Sequence, residues 1–162
     1  MTRKIYYKDK DISVYIDSNV LRNYCTGQTA DIDCLEFLFD KRKPNKLFTS
    51  FLAMAQALSG YQKKRHITKA DVIEKGLLLN EKMTVVEFSD KDMLSSFEQS
   101  GDDVEDNIHY ILSKKKKCTI IVTNDKTGFS TFRDIVVVKP NKLEYLKNLI
   151  AWLNKNDLNI EK

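Results

Sequence analysis

The sequence predicts an α/β fold, a three-layer sandwich with a central parallel sheet of four or five strands between helices. Two observations predict it. Short runs rich in Val, Ile, Phe and Tyr alternate along the chain with stretches of helical period. Several of those runs are continuously apolar, which suits strands covered on both faces. The 162 residues, 42% hydrophobic and 31% charged, fit a single domain over 1–162 with its core at about 13–145. A chain of this size buries enough surface to fold without staples.

The first strand is expected at 13–16, SVYI, followed by Asp17 and by helices over 19–25 and 32–40. A second strand over 46–49 leads into helices over 51–63 and 69–80. The third, 83–88, leads into helices over 91–99 and 103–115. The fourth and fifth occupy 118–122 and 135–138. A last helix over 142–154 carries Leu143, Leu146, Leu149, Ile150 and Leu153 at helical spacing. The Pro44-Asn45 and Pro140-Asn141 pairs read as turn signals.

Composition excludes several classes. Five Gly and two Pro are too few for collagen-like or linker-rich chains. No apolar stretch approaches the ~18 residues of a membrane span. The first residues, MTRKIYYKDKDIS, lack the apolar centre of a secretory signal, so a cytoplasmic location and no membrane contact are expected. Cys25, Cys34 and Cys118 share no CxxC spacing, which argues against zinc and against a disulfide framework. The net charge of +4 permits nucleic-acid binding without requiring it. Basic clusters at 41–43, 63–65 and 114–117 each fall near a helix end. There they either complement the helix dipole or bind phosphate.

Parallel sheets of this kind place ligands at the carboxyl ends of their strands. Asp17-Ser18-Asn19 follows the first strand, Thr49-Ser50 the second, and Thr123-Asn124-Asp125-Lys126 the fourth. A further acidic cluster, Asp102-Asp103-Val104-Glu105-Asp106, opens the helix before the fourth strand. Each acid has an ordinary reading. Asp17 and Asp102 suit helix caps, Glu105 a capping box, and Asp125 a turn with Gly128. Together they form a set of like charges that calls for incomplete ionisation or a cation. Oxygen ligands without His or Cys point to Mg²⁺ or Mn²⁺, and such ions act on phosphate esters. His66 reads as a surface residue and His109 as a surface or helix-packing residue or a substrate contact; Phe129 reads as core or as a base-stacking ring, and Trp152 as packing or a partner interface.

Four ordered segments, SVYIDSNVLRNY, LFTSFLAMAQALSG, DDVEDNIHYIL and CTIIVTNDKTGF, resemble the motifs of PIN-domain nucleases, and within them the VapC-like toxins. The resemblance runs from about residue 13 to 145. It implies a PIN-like sandwich and a Mg²⁺ (or Mn²⁺) endoribonuclease site. Asp17, Asp106 and Asp125 would take the acidic positions, with Asp103 as an accessory acid. Asn19 would orient Asp17. Ser50 and Thr123 would support the site or face phosphate, and Arg22 and Lys126 would contact phosphates. It also implies an RNA substrate, an antitoxin protein partner and a homodimer. One position departs from the pattern: Gln56 stands where the family has Glu, supplying an amide oxygen but no charge. That departure keeps open a second reading, an RNA- or protein-binding module with a weakened or inactive site. A third reading, Asp17 as a phosphoacceptor, lacks the DxD arrangement and the acidic pair that such proteins use.

Overall fold

The computed structural model describes residues 12–41 and 45–156. The N-terminal stretch, residues 42–44 with most of one basic cluster and Pro44, and the last six residues lie outside them. Five strands, β1 (Ile12–Ile16), β2 (Asn45–Ser50), β3 (Thr84–Val86), β4 (Ile120–Val122) and β5 (Val136–Val138), form one sheet in the order β3-β2-β1-β4-β5. Every neighbouring pair is parallel. Seven α-helices connect and flank them: α1 (Ser18–Thr26), α2 (Thr29–Phe39), α3 (Phe51–Gln62), α4 (Lys69–Lys82), α5 (Asp90–Ser96), α6 (Val104–Lys115) and α7 (Leu143–Asn156).

The continuous apolar runs do what their composition requires. Val14, Tyr15 and Ile16 are wholly buried, as are Ile120, Ile121 and Val122. Because side chains alternate along a strand, each run feeds both faces. Val14, Ile16, Ile120 and Val122 join a core with residues of α1, α2, α3 and α7, including Leu21, Leu35, Ala53 and Leu146. Tyr15 and Ile121 point the other way, into a second core with Ile108 and Leu112 of α6 and with Phe129 and Phe132. The Phe129 reading as core is thereby met. Trp152 is 60% exposed.

Helix starts follow the polar residues that precede them. Ser50 caps α3, its hydroxyl accepting from Ala53 N at 3.0 Å. Thr68 with Asp71 and Ser89 with Asp92 complete reciprocal capping boxes on α4 and α5. At α6 the cap is Asp103 and not Asp102, since Asp103 Oδ1 accepts from Glu105 N and Asp106 N. Glu105 therefore lies too early in the helix for the expected box.

Most boundaries shift by a residue or more, the start of α2 by three, to Thr29, and three of the shifts have a local cause. The fourth strand starts at Ile120 rather than Cys118. Lys117 adopts a left-handed φ of 55°, and Cys118 N bonds to Ser113 O, so the exit turn of α6 takes those residues. The third strand is only Thr84–Val86 because it is an edge strand pairing with β2 alone. The fifth helix stops at Ser96, where consecutive tighter i→i+3 bonds at Phe97, Glu98 and Gln99 replace α-helical ones.

The chain order locates the crevice. From β1 the sheet grows outward through β2 to β3, then the chain crosses to β4 on the other side of β1 and continues to β5. The direction of growth reverses between β1 and β4, and ligands bind beside the carboxyl ends of strands at such a switch. Asp17 and Thr123 are the residues immediately after those two strands.

Candidate active site

Asp17 is held from several sides. Its backbone N bonds to Val122 O at 3.0 Å, fastening it to the end of β4. Its carboxylate is almost wholly buried, 3% exposed, and caps α1 by accepting from Ser18 N at 2.6 Å. Thr123 Oγ1 donates to Asp17 Oδ2 at 2.7 Å, and Asn19 Nδ2 donates to the same oxygen at 3.2 Å. Asn19 also bonds Thr123 Oγ1 at 3.1 Å, and its Oδ1 accepts from Asn124 N at 3.0 Å. Asn19 thus ties α1 to the loop after β4 and orients Asp17. One carboxylate thus both caps α1 and stands at the carboxyl end of β1.

That loop places Asp125. Thr123 Oγ1 accepts from Asp125 N at 3.0 Å, and Asp125 Oδ1 accepts from Gly128 N at 3.2 Å, closing the turn that the Asp–Gly spacing suggests. Asp106, on the first turn of α6, meets it there. A Cβ built on Gly128 would collide with Asp106 Oδ2 and stand 3.3 Å from Asp125 Oδ2. Only glycine leaves room for the two carboxylates to face each other. Burial first, and then repulsion from Asp103, Asp17, Asp125 and Glu105, pushes the Asp106 carboxyl up to about 7. Asp103 is exposed and spends one oxygen on its cap.

As they stand, no three His, Cys, Asp or Glu side chains among the described residues are gathered closely enough to enclose an ion. The donor set is nevertheless one that a hard divalent cation suits. Its acids are all-oxygen, two of them face each other across Gly128, and one has its ionisation opposed by the others.

Gln56 and His109 form a buried pair on the inner side. His109 is 1% exposed, so the packing reading holds and the surface one does not; His66 is exposed. His109 Nδ1 meets the Tyr15 hydroxyl at 2.8 Å, and that hydroxyl meets Ser50 Oγ at 2.8 Å. Burial holds the Tyr15 hydroxyl far above its usual range, so it remains protonated. On the other side His109 Nε2 lies 3.2 Å from Gln56 Oε1 and 3.6 Å from Asp17 Oδ1. Gln56 is therefore half-buried and engaged, not simply a polar residue on an outer helix face. Ser50 and Thr123 are fully buried. Both hydroxyls are engaged within the protein, Ser50 with Tyr15 and Ala53 N and Thr123 with Asp17, Asn19 and Asp125 N.

Asp31 was not legible beforehand. It is 3% exposed in the first turn of α2, with no ion-pair partner among the described residues. Asn124 Nδ2 donates to its Oδ1 at 2.8 Å and Asn23 Nδ2 to its Oδ2 at 3.4 Å. It thereby anchors the residue between Thr123 and Asp125, and the α2 dipole favours its charge. No sequence signal marks it, because its partner lies 93 positions away.

Arg22 and Lys126 are exposed. Arg22 lines a groove of about 360 Å³ with Ser18, Gln56 and Glu105, so it stands beside the site. Lys126 opens the short 3₁₀ turn Thr127–Phe129 directly after Asp125.

Residues 14–135 match the family model of the PIN domain. The chain belongs to the PIN-domain family. No individual curated protein gives a significant sequence match. Among solved structures, this PIN domain resembles VapBC-1 from nontypeable Haemophilus influenzae with a TM-score of 0.61 at 14% identity, covering 81% of this chain and 100% of that one. It resembles VapBC2 from Rickettsia felis, bound to a DNA fragment from its promoter, with a TM-score of 0.59 at 15% identity, covering 79% and 98%. A toxin–antitoxin complex from Klebsiella pneumoniae gives 0.57 at 15% identity, covering 78% and 97%. At such identities the likeness is one of fold.

Two measurements check this geometry. The Asp106 carboxyl is raised in the folded protein, so its ionisation costs stability as pH climbs from about 4 to about 7. Asp106→Asn removes that cost. Without divalent ions the variant should melt higher than wild type at pH 8, by on the order of 1 kcal/mol given solvent screening of a half-buried group, and equally at pH 3. Asp31→Asn leaves an amide nitrogen facing one of the two donors, Asn124 or Asn23, and should destabilise the fold by about 1–3 kcal/mol in urea titration. Exchanging both residues, Asp31→Asn with Asn124→Asp, should recover most of that loss.

Proposed function

We propose that this protein is a metal-dependent endoribonuclease of the VapC-like toxin type, hydrolysing RNA phosphodiesters. The observation that supports it most is the facing of Asp106 and Asp125 across Gly128, beside Asp17, at the sheet's switch point. A Mg²⁺ or Mn²⁺ ion held by Asp17, Asp106 and Asp125, with Asp103 accessory, would supply charge neutralisation and activation of the attacking water. The chain's own residues prepare the place. Thr123 and Asn19 fix Asp17 Oδ2 by hydrogen bonds, which pre-orders the carboxylate and leaves less to reorganise. The turn from Asp125 to Gly128 sets the second acid, and the first turn of α6 sets the third. Arg22 and Lys126 offer cations to the flanking phosphates.

Gln56 gives the second reading its support. With Oε1 turned to His109, this position adds no anion to the site. A PIN-like module with reduced or absent activity that retains RNA is the corresponding alternative. The VapBC structures are of toxin–antitoxin pairs, and we extend from them an antitoxin partner, with a homodimer as the state of the free chain.

Purified protein should cleave RNA with Mg²⁺ or Mn²⁺ and stop in EDTA. Asp17→Asn should lower the rate by at least about 100-fold, since the variant loses a ligand charge; an unchanged rate would remove the assignment. RNA retention in EDTA, without cleavage under either ion, would establish the binding module instead. Gln56→Glu should raise Mn²⁺ affinity several-fold by calorimetry. An unmoved affinity would mean that position 56 serves His109 and not the ion.

A further inference from the structure

A second groove continues the first away from the carboxylates. It has a volume of about 390 Å³ and lies between α1 and α3, with Arg22, Asn23, Gly60, Lys63 and Lys64 among its walls. Arg22, Gly60 and Lys63 line both grooves, so the two are continuous. At the inner end stand Ser18, Gln56 and Glu105, next to Asp17 and Asp106. No carboxylate lines the outer part. Arg22, Lys63 and Lys64 have no ionic partner among the described residues.

The end of α3 explains why Lys63 and Lys64 are cations, since the helix dipole favours them there. It does not explain Arg22, which comes from the opposite wall, in the middle of α1. Nor does it explain how Arg22 lies. Its stem rests on Gly60, where a Cβ would come within 2.7 Å of Arg22 Cδ. A bare surface on α3 thus lets the Arg22 stem cross from α1 and lie against the helix whose end carries Lys63 and Lys64. Three unpaired like charges converging on one open groove favour an extended anion with regularly spaced charges.

We propose that this groove is a track for the sugar–phosphate backbone of single-stranded RNA on one side of the bond to be cut, with Arg22, Lys63 and Lys64 each taking a phosphate. The proposal rests on the ribonuclease reading for the choice of RNA. Continuity with the carboxylate site favours it over an acidic protein segment, because a strand with one phosphate at the acids has to leave along a path, and this is a cationic one.

The test is binding of a fluorescent 12-nucleotide RNA in EDTA, followed by anisotropy across a salt series. Single strands lose about 0.7 in log–log salt slope per phosphate contact removed. Lys63→Gln with Lys64→Gln should weaken binding about tenfold or more near 0.1 M salt and reduce the slope by about 1.4. Gly60→Ala, which keeps every charge, should also weaken binding by displacing Arg22. Unchanged affinity and slope in the double variant would overturn the track. So would wild-type RNA binding that is negligible while a poly-glutamate peptide binds and loses affinity in the same variants, which would make the occupant acidic protein. Because the assay runs without metal, an absence of cleavage leaves its result intact. Cleavage by the wild type with binding unmoved in the variants defeats the track alone.

Discussion

The close approach of Asp106 and Asp125 at Gly128 is the constraint on which the crevice of this molecule depends. Asp17 and Asp125 leave adjacent strands at the point where the sheet reverses its growth, and Asp106 reaches them from α6. Carboxylates do not gather in this way unless something holds each one against its neighbours. Here the holding is done by hydrogen bonds made before any ligand arrives. Asp17 accepts from Ser18 N, Asn19 and Thr123, and Asp125 accepts from Gly128 N. Asp106 has no such donor among the described residues, and burial and its neighbours oppose its ionisation.

The same kind of hydrogen bond belongs to the fold. Asp17 starts α1, Asp103 starts α6, and Asp125 closes the turn after β4. Capping and turn formation orient carboxylates as a by-product, so a site built from caps needs few residues that serve chemistry alone. Removing such a side chain outright would unfasten a helix start as well as remove a charge. An Asp→Asn exchange retains an acceptor oxygen for the cap and isolates the charge, which makes it the informative substitution at these positions.

Some of this was readable in the residue string and some was not. Strand placement and double-sided burial follow from runs such as Val14-Tyr15-Ile16, because a strand covered on both faces has no position for a polar residue. Asp17, Asn19 and Asp125 were readable because they directly follow such runs. Asp31 and His109 were not. Their meaning comes from partners 93 and 94 positions distant, Asn124 and Tyr15, and no local pattern encodes a contact of that separation. The fourth strand began two residues late for a local reason of another kind, the left-handed turn at Lys117. Propensity favours β structure in Cys118-Thr119, but the exit geometry of α6 takes precedence.

Gln56 shows how one side chain orders the inner wall. Its Oε1 lies 3.2 Å from His109 Nε2, and it brings no charge there. The amide completes a buried chain from Ser50 through Tyr15 and His109 to Gln56, and every member of it has a partner. Buried polar chains of this sort are costly when partly satisfied and rigid when complete. The amide therefore supplies order on the inner wall, where α3 and α6 approach β1, while the charge of the crevice comes from Asp17, Asp106 and Asp125 and from the exposed Arg22 on its rim.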